Sequence, residues 1–224
     1  SPLKIDDSLV PKSIEILKRE NSILFIGGKF LDEKCIKLAG QISSTTGCRI
    51  VTDTFVSRIR RGAGLPKVEQ VPYFSEMAEE FLKNTSGVVF LGTNAPVSFF
   101  AYPGKKSYLL SEETEILELC TPGQDGLSAL QALSDESDAS SINKELIQEK
   151  ITEYPTKGKL DSLSIGPLIG ALIPEESIIS DEAATSSLLV TPHTLGSKPL
   201  DWLSLTGGSI GQGLPLAVGA AIAE

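Results

Sequence analysis

Four glycines within seven residues, Gly207, Gly208, Gly211 and Gly213, commit the stretch 205–213 to a turn that few other residues could make. Glycine takes positive φ freely and lets another backbone or a ligand come close. Pro215 fits the first turn of a helix, where its missing N–H costs nothing. The residues after it are almost all Ala, Val, Leu and Gly, which predicts a buried, tightly packed helix. The stretch is not a phosphate loop, because no Lys-Ser/Thr pair follows the glycines. It does not read as a dinucleotide fingerprint either. No strand is visible leading into it, and the remaining chain is too short for the acidic partner.

Composition narrows the classes. The chain has 224 residues, 41% of them hydrophobic and 22% charged, enough for one large or two smaller cores. A net charge of −9 argues against nucleic acid and anionic membrane surfaces as partners. No apolar run is long enough to span a bilayer. Cys35, Cys48 and Cys120 lack metal-type spacing and read as structural thiols of a reducing, cytoplasmic compartment. The chain opens Ser-Pro without an initiator methionine and stops directly after the Ala-rich stretch. That reads as an internal piece of a longer polypeptide, with no targeting segment visible.

In the first half, helical spacing over 8–20, 31–44 and 74–83 alternates with short apolar runs at 22–28, 48–52 and 87–92. Shorter strands are expected at 107–110 and 116–119. Alternation of this kind predicts an α/β fold, a Rossmann-like parallel sheet with helices on both faces. Such sheets bind ligands at the carboxyl ends of their strands. Three loops should share that edge: Gly27-Gly28-Lys29, the stretch 54–66, and Gly92-Thr93-Asn94. The middle loop carries Arg58, Arg60 and Arg61 beside Gly62 and Gly64, a set able to hold phosphate. A solvated basic loop or a subunit contact is the preferred reading, because no strict motif accompanies the arginines. Phe99, Phe100 and Tyr102 read as an aromatic anchor for their loop.

Residues 1–122 thus form a first domain and 123–159 a polar linker with helices near 127–133 and 142–151. Residues 160–224 begin a second, partial α/β domain. There a helix at 164–172 precedes a strand at 177–182, which runs into Ala184, Thr185, Ser186 and Ser187. Small and hydroxyl residues opening a helix after a strand suit a bound anion. They also suit an ordinary helix cap. The only histidine, His193, has no visible partner and reads as a surface or interface residue. Trp202 reads as packing before the glycine loop.

The run from Gly207 to Pro215, followed by its Ala/Gly helix, resembles the opening of the diphosphate-binding domain of thiamine-diphosphate enzymes, the acetolactate-synthase and benzoylformate-decarboxylase group. The resemblance extends over nearly the whole chain. It implies that residues 1–122 are the family's central, six-stranded domain and that 160–224 start its cofactor domain. It implies that Ala184, Thr185, Ser186 and Ser187 hold the cofactor diphosphate. Gly208, Ser209 and Gly211 would lie along the thiamine pyrimidine, with Ile210 propping the cofactor into its bent shape. Arg61-Gly62-Ala63 is similar to a loop that touches FAD in acetolactate synthases, although Gly64-Leu65-Pro66 departs from the Phe-Pro found there. Related decarboxylases keep the fold without flavin.

The resemblance further implies a parent enzyme acting on 2-keto acids by decarboxylation and carboligation. It would use thiamine diphosphate and magnesium and work as a homodimer or homotetramer. The family's activating glutamate lies in a preceding domain and its metal motif should follow Glu224. No catalytic or metal-ligating residue is therefore assigned within this chain, and the chain alone is expected to be inactive. Two other readings stay open: a nucleotide-binding module for FAD or NAD, and a non-catalytic scaffold of the same fold.

Overall fold

The computed structural model describes residues 2–224. They divide into two compact units, one of residues up to 54 with 68–143, the other of 55–67 with 144–224.

The first unit opens with α1 (Leu9–Leu17), whose Val10, Ile14, Ile16 and Leu17 are buried. Then come β1 (Ile23–Ile26), α2 (Glu33–Thr46) and β2 (Arg49–Thr52). The chain next passes through β3 (Ile59–Arg61), which belongs to the second unit. It returns with β4 (Glu69–Gln70), α3 (Ser75–Leu82), β5 (Gly87–Leu91), β6 (Glu115–Cys120) and α4 (Gly126–Glu136). The strands form one sheet in the order β4-β2-β1-β5-β6, with every neighbouring pair parallel. This sheet has five strands among the described residues, one fewer than the resemblance implies. The expected strand at 107–110 is reduced to one bridge between Val97 and Tyr108.

A fully buried parallel strand needs apolar side chains on both faces. In β1 this is met by Ile23-Leu24-Phe25-Ile26, none of which is exposed. Ile23 and Phe25 join Val51, Val88 and Phe90 in one core with Ala78 and Leu82 of α3. The Phe25 and Phe90 rings lie 5.2 Å apart. Helices α1, α2 and α4 pack together over the opposite face. The sequence therefore predicts the α/β class and the two-sided covering correctly.

The second unit holds α5 (Ser162–Leu172), β7 (Ile178–Asp181), α6 (Ala184–His193), β8 (Leu200–Ser204) and α7 (Gly213–Ala223). Strand β8 is central, antiparallel to β3 and parallel to β7. Helices α5 and α6 meet closely where Gly170 allows it: a Cβ there would stand 2.5 Å from the His193 carbonyl oxygen. Of the stretch read as a linker, 126–136 is α4 of the first unit. Residues 144–148 run along the loop before β4, with Lys67 N–H bonded to Leu146 and Gln148 N–H to Leu65. The second helix expected there is a single 3-10 turn, Lys144–Leu146.

Two expectations at the glycine loop need correction. A strand does lead into it: β8 ends at Ser204, three residues before Gly207. Helix α7 has no buried residue among those described, with Leu214 82% and Ile222 81% exposed. Apolar composition sets what a helix could bury, but burial also needs a facing surface.

The Phe30 ring, itself buried, packs against Gly92 and Gly126. Gly92 has φ 73°, and a Cβ there would stand 2.3 Å from that ring. Gly92→Ala should therefore destabilise the first unit by about 2 kcal/mol or more. Gly123→Ala, with nothing within 4 Å of the added atom, should stay within about 0.5 kcal/mol. Thermal unfolding of the two variants checks this.

Candidate functional site

At the carboxyl edge of the parallel sheet two of the three expected loops meet, whereas residues 55–67 belong to the second unit. Gly27 donates its N–H to Leu91, and Gly28, at φ 60°, comes so close to Gly92 that a Cβ would meet the Gly92 oxygen at 2.9 Å. Asp53, directly after β2, accepts a 2.6 Å hydrogen bond from the Thr93 hydroxyl. Burial raises the Asp53 carboxyl above its ordinary value, and the Thr93 bond offsets part of that. The helix start that could receive a phosphate is already filled: Asp32 caps α2 by accepting the Cys35 N–H at 2.8 Å, and Glu33 adds another carboxylate in the first turn. A phosphate there would meet two like charges. Phe99, Phe100 and Tyr102 form a ring cluster with Tyr73, as expected of an anchor.

The arginine stretch is neither a solvated loop nor an open phosphate site. It forms β3, in the second unit. Arg58 holds Asp201 through two hydrogen bonds of 3.0 and 2.7 Å, and Arg60 pairs with Glu176. Arg61 is only 6% exposed. Its guanidinium lies 3.7 Å from the centre of the Trp202 ring and donates to the Thr194 hydroxyl at 2.6 Å, while its Nε has no acceptor. Burial pulls this guanidinium down to about 9, with Asp181 acting the other way. Ala63 N–H is bonded to Ser197. Arg60 and Arg61 face inward while Arg58 stays largely exposed, and the burial of Arg61 does not fit a flavin contact through it. Sequence reasoning missed β3 because its pairing with β8 joins residues far apart in the chain.

The second motif is organised around the end of β7. Ala184, Thr185, Ser186 and Ser187 form the first turn of α6, directly after that strand. The capping position is Ala183, which offers no side-chain acceptor. The hydroxyl residues are thus inside the helix rather than capping it, which removes the helix-cap explanation for them. Ser187 donates back to the Ala184 oxygen at 3.1 Å. The Thr185 and Ser186 hydroxyls are exposed and make no hydrogen bond among the described residues. The Ser186 and Ser187 N–H groups already bond to the Ala183 oxygen and that of Ala183 to Asp181, so an anion here would draw on the N–H groups of Ala184 and Thr185. Ala184 sits at φ 30°, an unusual position for a residue with a Cβ.

Gly208, Ser209, Ile210 and Gly211 lie in the loop between β8 and α7. Gly207, Gly208 and Gly211 have φ of 63°, 67° and 94°. Ile210 projects outward, 93% exposed. The two motifs are joined by a residue that sequence reasoning missed. Glu182, two positions before Ala184, accepts the N–H groups of both Gly211 and Gly213. The Ser180 hydroxyl donates to the Gly213 oxygen at 2.8 Å. A carboxylate at a strand end just before small residues was the available signal.

His193 lies at the end of α6, with Nδ1 2.6 Å from the Leu189 oxygen, a packing position against Gly166. The three cysteines are buried and free. Burial lifts their thiols to about 12 for Cys35 and about 11 for Cys48 and Cys120, so none is a thiolate near neutrality. No group of three or more metal-ligating side chains occurs among the described residues. No helix among them is long and apolar enough to cross a membrane.

Comparison with known proteins bears on the fold and on what the chain is similar to. No family model matches the chain. It is 40% identical over 204 residues to a protein of Mycobacterium tuberculosis strain H37Rv described as an acetolactate synthase large subunit, IlvX. That similarity covers 91% of this chain and 39% of the relative, so the chain spans about two fifths of that protein's length. Among solved structures, a thiamine diphosphate-dependent 4-hydroxybenzoylformate decarboxylase of Rhodococcus jostii RHA1 matches all of this chain and 45% of its own. The TM-score is 0.73 and the identity 18%. A benzoylformate decarboxylase of Polynucleobacter necessarius matches 99% of this chain and 44% of its own, with TM-score 0.67 and 14% identity. The chain resembles part of an acetolactate-synthase-like large subunit, and its fold is that of domains of thiamine-diphosphate enzymes.

Two outcomes follow from the geometry. Asp53 binds its proton more tightly folded than unfolded, so stability falls as pH rises from the ordinary 3.8 through its raised folded value. Asp53→Asn should raise the unfolding temperature at pH 7, and the gain should shrink towards pH 4. Asp201 is 8% exposed between Arg58 and Arg60, and Asp201→Ala should cost about 1 kcal/mol in denaturant unfolding, because Arg60 keeps Glu176 and the largely exposed Arg58 turns to water.

Proposed function

We propose that this chain supplies the diphosphate-holding turn and the pyrimidine-facing loop of a thiamine-diphosphate-dependent enzyme that acts on 2-keto acids. The observation that carries the reading is the joining of two motifs. An uncapped helix start with exposed hydroxyls, Ala184–Ser187, is tied through Glu182 to a glycine loop that presents Ile210. Thr185, Ser186 and the N–H groups around them would hold the diphosphate. Gly208, Ser209 and Gly211 leave room for a flat ring, and Ile210 gives it an apolar support. Thiamine diphosphate, when bound, supplies the carbanion chemistry as an electron sink, and the protein supplies orientation.

The described residues offer no set that fits a magnesium ion. In this reading the metal ligands and the activating glutamate come from outside this chain, and the chain alone binds the cofactor weakly and does not catalyse. The working enzyme is a cytoplasmic homodimer or homotetramer. The alternative of a nucleotide-binding module is less well supported: the start of α2 is filled by Asp32, and Arg61 is turned inward onto Trp202. A scaffold that has lost its chemistry would keep the fold and ignore the cofactor.

Phosphorus NMR of thiamine diphosphate titrated with the chain tests the proposal. We expect shifts or broadening with a Kd of roughly 1 mM, about −4 kcal/mol, little changed by magnesium. Ser186→Glu, which puts a like charge in the turn, should abolish them. The absence of any response at several times that concentration overturns the reading. Tight, magnesium-dependent binding overturns the assignment of the metal ligands to parts outside the chain.

A further inference from the structure

We propose that Glu182 is a positioning residue that sets the glycine loop against the start of α6, so that the two cofactor motifs act as one site. This rests on the thiamine diphosphate reading for its ligand, but its geometry stands independently. Asp181 and Glu182 are adjacent at the end of β7, so their side chains leave on opposite sides of the strand. Asp181 accepts the Trp202 indole N–H at 3.2 Å and the Ala183 N–H at 2.9 Å, which ties the turn into α6 to the neighbouring strand β8. Glu182 goes the other way and takes the two glycine N–H groups, one on each of its oxygens. Only an ionised carboxylate offers two equivalent acceptor oxygens in that space.

The contact is matched on the loop side. A Cβ at Gly213 would stand 2.6 Å from Glu182 Oε2 and 2.8 Å from its Cβ, so only glycine leaves room for the carboxylate. Ser180, on the same strand, grips Gly213 from its carbonyl. Gly213 is thus held at its C=O by Ser180 of β7 and at its N–H by Glu182 just beyond that strand. Its position fixes where α7 starts and where Ile210, three residues earlier, projects. Glutamine keeps one of the two acceptors, and alanine keeps neither.

The experiment combines amide exchange with the phosphorus titration, on the same chain. In the free wild type, the Gly211 and Gly213 amides should exchange about tenfold or more slowly than in Glu182→Ala, with Glu182→Gln between them. Thiamine diphosphate should bind Glu182→Ala about tenfold more weakly, with partial recovery in Glu182→Gln. Ser180→Ala, which leaves the carboxylate in place, serves if Glu182→Ala does not fold. It should loosen Gly213 while sparing Gly211. Equal glycine exchange in wild type and variant overturns the clamp. Lost protection with unchanged cofactor affinity overturns its role in the site. Protected glycines in a wild type that gives no phosphorus response overturn the thiamine diphosphate reading rather than the clamp.

Discussion

The carboxylate as a multiple acceptor is the constraint on which the second unit depends. Strand β7 is only four residues long and β3 only three, too short to hold their surroundings by strand pairing alone. Four acidic side chains make up the difference. Asp201 receives Arg58, Glu176 receives Arg60, Asp181 receives Trp202 and Glu182 receives the glycine loop. Arg61 is the exception, a cation held by an aromatic face and a hydroxyl rather than by a carboxylate. Its low proton affinity records the cost of that choice.

The first unit is held together differently. Its central strands β1 and β5 are apolar on both faces, and its helices cover the sheet from both sides. Its polar features mostly serve local closure: Asp32 caps a helix, and Thr93 satisfies Asp53. The carboxyl edge that a parallel sheet commonly offers to ligands is crowded here, with Gly28 and Gly92 in near contact and Phe30 packed against Gly92. The candidate chemistry therefore moves to the second unit.

Much of this was legible in the residues. β1, β2 and β5 announce themselves as short apolar runs, two of them ending in glycine, and α2 and α3 by their spacing. β3 and β8 do not, because charged and polar residues interrupt them and their pairing is set by tertiary contact. The hydroxyl turn could be placed after a strand, but whether its side chains capped the helix depended on a one-residue offset, Ala183 against Ala184. For Glu182 the sequence carried only its place after a strand and before small residues, not its partners, which lie 29 and 31 residues downstream. The burial of α7 was misjudged because composition is a property of one surface and burial a property of two.

The most direct test is a footprint of the cofactor, mapped by hydrogen exchange with and without millimolar thiamine diphosphate. The account predicts slowed exchange at 184–187 and 207–213, with the carboxyl edge at Gly27, Gly28 and Gly92 unchanged. Protection confined to that edge, with none at the turn or the glycine loop, would contradict it.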